Sequence, residues 1–227
     1  MNWKYAVGEI VLIVIGILIA VQINNWNQDR IENLNETALI NNLLDDLQAN
    51  MTMYLARDSV NLKRSGNIEK FVNEIQVYKD SSTLRRLSYP PERLYDEFDP
   101  VRSTFNQMEN NGMIYKLSDE SIKNGIIDYY TLISESQRLL RVQQSFVQEQ
   151  YNHKDLMIMR ENHFRLFKGQ NIPISDLKWM NDFSSDEYKA YKSMVYMIQG
   201  IINFENYQMI LLKKECGELI DMIQKLQ

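Results

Sequence analysis

Residues 5–23 read YAVGEIVLIVIGILIAVQI, with Trp3 and Lys4 before them and Asn24, Asn25 and Trp26 after. The run is almost unbroken Ile, Leu, Val, Ala and Gly, whereas everything beyond it is polar and patterned for helix. A helix of this length rises about 28 Å, close to the thickness of a bilayer's hydrocarbon core. Trp3 and Trp26 stand roughly 35 Å apart along it, the separation of the two interfacial aromatic belts. Trp3, Lys4, Tyr5 and Trp26 therefore read as membrane-interface anchors. A cleaved signal peptide is disfavoured, because the one candidate cleavage point, after Ala20, has Leu18 where a small residue is required. A buried core helix rarely carries so long an apolar run. The expected element is a single transmembrane helix, with the lipid bilayer as its first partner.

Lys4 precedes the span without an acid, while Asp29, Arg30, Glu32 and Glu36 follow it with no positive excess. The positive-inside tendency then places the N-terminus in the cytoplasm and the rest of the chain in the periplasm, at the inner membrane. Within the span, Glu9, Gly16, Ala20 and Asn27 fall within about 20° of one line on a helical wheel. Gly16 and Ala20 form a small-xxx-small pair that lets two helices approach closely. One reading makes Glu9, Gly16 and Ala20 a packing stripe against a second copy or another membrane protein. It leaves open whether Glu9 is a hydrogen-bonding strut or part of a proton path. The other lets Glu9 snorkel to the headgroups from one turn inside Tyr5.

The segment from Lys4 to Arg30 resembles the N-terminal signature of a bacterial family of membrane-anchored proteins of unknown function. That pattern is a Tyr-Ala-x-Gly-Glu-Ile start, an Ile/Leu/Val run, then Gln-Ile-Asn-Asn-Trp-Asn. Gly8, Glu9, Gln22, Asn24, Asn25 and Trp26 carry the likeness here. A second, looser similarity lies in Asp99, Pro100, Val101, Arg102, Ser103 and Thr104, in Asn111 and Gly112, and in residues 126–130. The resemblance implies a topology and brings no activity, substrate or catalytic residue with it.

The chain has 227 residues, 44% hydrophobic and 24% charged, with net charge −5. Lys4 and Glu9 cancel in the first 23 residues, so the whole charge belongs to a part large enough for one cored domain. An acidic balance argues against nucleic acid and against binding to an anionic membrane surface. Few Gly and Pro suit long helices, and the single Cys216 excludes an internal disulfide.

Beyond the anchor, residues 28–63 read as one helix with Ile40, Leu44, Leu47, Met51, Tyr54 and Leu62 recurring at three and four residues. Asp58 interrupts that stripe, either ending tight packing or pairing with a base. Lys63, Arg64, Ser65 and Gly66 are a helix-stop signal, and a break and a kink are both compatible with it. Ile68, Phe71, Val72, Ile75 and Tyr78 then resume the spacing. Residues 80–99, with Tyr89, Pro90 and Pro91 among mixed charges, read as an irregular connector or a recognition loop. A short helix over 101–110 follows. A long one, capped by Ser118, runs to about Phe167 with Ile122, Ile126, Tyr129, Ile133, Leu140, Val147 and Tyr151 on its apolar face. A second loop spans 168–183.

The last helix carries the clearest soluble pattern. Ser184 and Glu187 form a capping-box pair. Tyr188, Tyr191, Val195, Ile198, Ile202, Glu205, Met209, Leu212, Cys216, Leu219 and Ile223 then alternate three and four residues, which predicts a long packing seam. Glu205 is the polar seam residue, read either as the partner of an Arg or Lys that fixes register or as a ligand-contacting or pH-sensing carboxylate.

No catalytic signature is present. The two histidines, His153 and His163, lie ten apart with no second cysteine, and Asp155 and Glu161 would have to complete any metal site. There is no Gly-x-Ser-x-Gly, phosphate loop or dinucleotide fingerprint. The expectation is an all-α protein: an anchor over residues 1–27, continuous with an elongated antiparallel helical bundle over 28–227. It needs no cofactor or metal and has no enzymatic activity. Its function is that of a membrane-tethered interaction module, a scaffold or accessory subunit of a membrane complex. The alternative is a ligand-sensing periplasmic bundle signalling through a partner membrane protein.

Overall fold

The computed structural model describes residues 3–89 and 99–225, with backbone only for residues 3–8, 10 and 11. The described residues form α-helices joined by short 3-10 turns, without strands: α1 (Trp3–Ile75), α2 (Ser81–Leu87), α3 (Ser103–Asn110), α4 (Glu120–Tyr151), α5 (Met157–Phe167) and α6 (Asp186–Gln224). The side chains of Trp3, Lys4 and Tyr5 and the charged segment 90–98 lie outside the described residues.

α1 is one helix of 73 residues, roughly 110 Å long. The stop signal at Lys63–Gly66 is not obeyed. Arg64 and Ser65 are committed to α6, and Ile68, Phe71, Val72 and Ile75 bury on continuing the helix, which outweighs the ~1 kcal/mol cost of a helical glycine. Among the described residues no helix is long and apolar enough to cross a membrane. About a third of the expected span, residues 5–8, 10 and 11, lies outside the described side chains, and the apolar run from Leu12 gives way to Gln22, Asn24 and Asn25.

α1, α4 and α6 form the bundle, α6 packing on both of the others. At one end Leu43 and Leu47 meet Ile126 and Ile133 of α4 and Leu212 and Leu219 of α6. At the other, Ile68 and Ile75 meet Val147 of α4 and Tyr191 and Ile198 of α6. α6 therefore runs opposite to both partners, whereas α4 runs in the same direction as α1, which departs from the expected antiparallel arrangement. The reason is the connection. α2 packs in the far core through Leu84 and Leu87, while α3 packs in the near core through Phe105 and Met108, so the chain returns to its starting end before α4 begins. Gly125 lets α4 approach α6, since a Cβ there would meet Met222 and Leu219 side-chain atoms at 2.9 and 3.3 Å.

Helix ends differ from expectation where side chains are used elsewhere. Asp119, not Ser118, caps α4 by accepting from the Ser121 and Ile122 amides, because Ser118 is held by Glu36. Ser185, one residue after Ser184, caps α6. The helix expected to reach Phe167 stops at Tyr151. There Arg160 donates to the Tyr151 and His153 carbonyls at 2.6 and 2.8 Å and closes the end of α4. All eleven seam positions of α6 are buried.

Candidate functional site

The seam of α1 explains how the two cores are divided. Leu43, Leu47, Asn50, Tyr54, Arg57, Asn61, Arg64, Ile68, Phe71 and Ile75 succeed one another at alternating steps of three and four along the face turned to the bundle. Ile40, Leu44 and Met51, on the neighbouring stripe, are only partly buried, and Leu62 is 77% exposed. Polar residues therefore occupy the middle of the true seam, between the two apolar cores.

Glu205, 6% exposed, sits in that middle. Its Oε1 accepts from Arg57 Nε at 3.1 Å and lies 3.0 Å from Nη2, and its Oε2 accepts from Arg64 Nη1 at 2.8 Å. Arg64 also donates to Asn61 Oδ1 at 3.4 Å, while Asn206 donates to Ser65 Oγ at 2.6 Å and Ser136 to Gln208 Oε1 at 2.7 Å. One turn nearer the start of the bundle, the Tyr54 and Tyr129 hydroxyls are 2.9 Å apart, and Cys216 Sγ donates to the Leu47 carbonyl. Burial raises both phenols above their ordinary range and pushes the Cys216 thiol up to about 11, so the thiol is a packed side chain and not a nucleophile. Lys213 pairs with Asp58 at the edge of the layer. Two guanidinium groups thus hold one carboxylate between the two cores. That arrangement links α1 to α6 through buried ion pairs, as expected of a polar seam residue partnered by arginine.

α1 also grips the returning chain. Glu36 accepts from the Ser118 amide and hydroxyl at 2.9 and 2.8 Å, and Asp46 accepts from the Thr104 amide at 2.8 Å and from Ser103 Oγ. Asn50 pairs with both backbone groups of Val101, at 3.0 and 2.6 Å. The residues Val101, Ser103 and Thr104, singled out in the sequence, are thus docking points on α1, and Gly112 supplies a left-handed turn at φ 71°. At the far end Lys79 Nζ donates to the Val77 and Met180 carbonyls and lies over the Phe183 and Tyr188 rings; burial lowers its pKa to about 8.

The histidines are used separately. His153 Nδ1 is 3.2 Å from Asp155, whereas His163 Nδ1 shares a hydrogen with Tyr151 Oη at 2.9 Å beside the Tyr89 ring. No cluster able to hold a metal occurs among the described residues. Burial lowers the His163 pKa below its ordinary 6.5. Below that pH the unfolded chain takes up a proton that the folded one resists, so stability falls with acid through this group. The midpoint of thermal unfolding is expected to drop more between pH 7.5 and pH 5 in the native chain than in His163→Gln, as melting at the two pH values will show.

In the apolar run, Glu9 is exposed, nothing lies within 4 Å of a Cβ built on Gly16, Ala20 is exposed, and Trp26 is 63% exposed. Two grooves flank α1 where it enters the bundle. One, of about 610 Å³, is lined by Asn33, Glu36, Ile40, Ser118, Ile122 and Ile223 among others; the other, of about 300 Å³, by Asn35, Leu39, Gln107 and Asn111 among others. The sequence left the α1 seam hidden because Asn50, Arg57, Asn61 and Arg64 lie on it; their regular spacing from Leu43 to Ile75 was the available signal.

No curated protein and no solved structure matches the chain. Residues 9–90, which carry α1 from Glu9 onward and α2, match a family described as "Family of unknown function (DUF6090)".

Proposed function

We propose that this chain is a membrane-tethered helical interaction module, anchored by residues 5–23 with the bundle in the periplasm. It acts as a scaffold or accessory subunit and not as an enzyme. One observation carries the reading. Every large apolar side chain described in residues 12–23 stands about half or more exposed, while the same helix is packed into a bundle from Leu39 onward. Such a run in water would be costly, and lipid removes the cost. With no break between the apolar run and the bundle, α1 is a rigid strut that holds the bundle at a fixed height above its anchor. Gly16 and Ala20, uncovered and on one line with Glu9, supply a face for a second helix, from another copy or from a membrane protein partner.

Membranes washed in alkaline carbonate are expected to retain the chain, and release into the supernatant would overturn the anchor. Gly16→Ile should abolish self-association or partner recovery in mild detergent. Glu9→Gln should preserve it, if Glu9 serves as a hydrogen-bonding strut. The second reading, a ligand-sensing bundle, is favoured by the groove of about 610 Å³ at the foot of α1. It requires a small molecule that raises the melting temperature.

A further inference from the structure

We infer that the face of α1 turned away from the bundle pairs, in parallel and in register, with the same face of a second copy of this chain over residues 16–38. The inference rests on the anchor proposed above and commits its helix contact to one partner.

The line through Gly16 and Ala20 does not end with the apolar run. At 100° per residue, Gly16, Asn24, Asn27, Ile31, Leu34 and Ala38 all fall within about 40° of Ala20 on the helical wheel. The bundle takes the other side of α1. Leu39, Leu43, Leu47 and Asn50, all buried in it, centre about 135° from that line. The line itself stays uncovered: Ile31 is 50% and Leu34 59% exposed, and Asn24, Asn27 and Ala38 are exposed with them. A second helix can therefore lie along α1 without meeting the bundle that α1 carries. Only the packing shows this, because the apolar spacing of α1 does not say which side the bundle occupies.

Charge and hydrogen bonding select the occupant. Residues 16–38 carry four charged side chains, Asp29, Arg30, Glu32 and Glu36. The three acids stand about 120° or more from the line, and Arg30 about 80° from it, so the seam offers a charged partner nothing to pair with. What it does offer is two carboxamides among apolar side chains. A carboxamide both donates and accepts, so another carboxamide at the same level complements it, and in parallel helix pairs an asparagine on the seam fixes register. Two copies anchored by the same residues stand the same way up at the same height, which sets Asn24 and Asn27 opposite themselves. Asp45 marks the end of the seam. It is exposed and within about 20° of the line, and in a parallel pair it would face its own copy. The two bundles, on the outer sides, diverge from there.

The test uses the full chain in membranes, with single cysteines introduced as Ile31→Cys, Leu34→Cys, Asn25→Cys or Asp29→Cys and oxidised with copper phenanthroline. The native Cys216 is buried and stays in place. Ile31→Cys and Leu34→Cys are expected to yield a disulfide-linked species of twice the chain's mass. Asn25→Cys and Asp29→Cys, on the far side, should yield at least about fivefold less. Adding Leu34→Asp to Ile31→Cys should cut the product about tenfold and leave the melting temperature of the bundle unchanged, since Leu34 is exposed. Equal linkage at all four positions, linkage at none, or a product undiminished by Leu34→Asp would overturn the pairing. So would a linked species of any other mass, which would give the face to a different protein. Release of the chain by carbonate strikes the anchor and not the pairing: the same scan on the released chain still supports the pairing by its pattern or overturns it by its absence.

Discussion

Glu205→Leu is expected to lower folding stability by about 3–5 kcal/mol, the range for removing one partner of a buried ion pair. The substitution changes size little. Its cost comes from Arg57 and Arg64, whose guanidinium groups lose the carboxylate between them at a depth where water does not replace it. The cost should vanish when the charges are removed together. Arg57→Met/Arg64→Met/Glu205→Leu is expected to be as stable as the native chain or more so, because well-packed apolar side chains often equal a buried ion pair. Chemical denaturation of the single and triple variants, followed by circular dichroism, gives the coupling as the departure from additivity. A Glu205→Leu variant within ~0.5 kcal/mol of the native chain would show that the layer contributes nothing to stability.

The second large effect separates two stripes of α1. Leu43, fully buried between α4 and α6, should cost about 3 kcal/mol when changed to alanine. Leu62, on the stripe that the apolar pattern suggests, is 77% exposed, and Leu62→Ala should stay within ~0.5 kcal/mol. Melting temperatures of the two variants decide it. Equal losses, or a larger loss at Leu62, would mean that α1 is rotated relative to the bundle described here.

These two helices show why some elements were legible and others were not. α6 announces its seam because ten of its eleven positions are apolar or weakly polar, so composition and burial coincide. In α1 they diverge. Its seam spends Asn50 on the Val101 backbone and Arg57, Asn61 and Arg64 on the polar layer, while Leu55, Val60 and Leu62 lie outside it. Periodicity counts apolar residues and cannot recognise a polar residue whose partner is 148 positions away, as Glu205 is from Arg57. The α4 boundary was hidden for a related reason: residues 152–167 keep helical composition, and the stop is made by Arg160 reaching back to the Tyr151 and His153 carbonyls.

The sequence by itself determined the all-helical class, the apolar run of residues 5–23 and the complete inner face of α6, since each depends only on local spacing and solubility. Tertiary structure alone decided that α1 passes through Gly66 without stopping, that α4 runs beside it in the same direction, and that two arginines meet one glutamate between the cores. The physical reason is that a buried charge or a glycine in a helix is locally unfavourable. It becomes favourable only when distant segments bring the opposite charge or the apolar surface that offsets it.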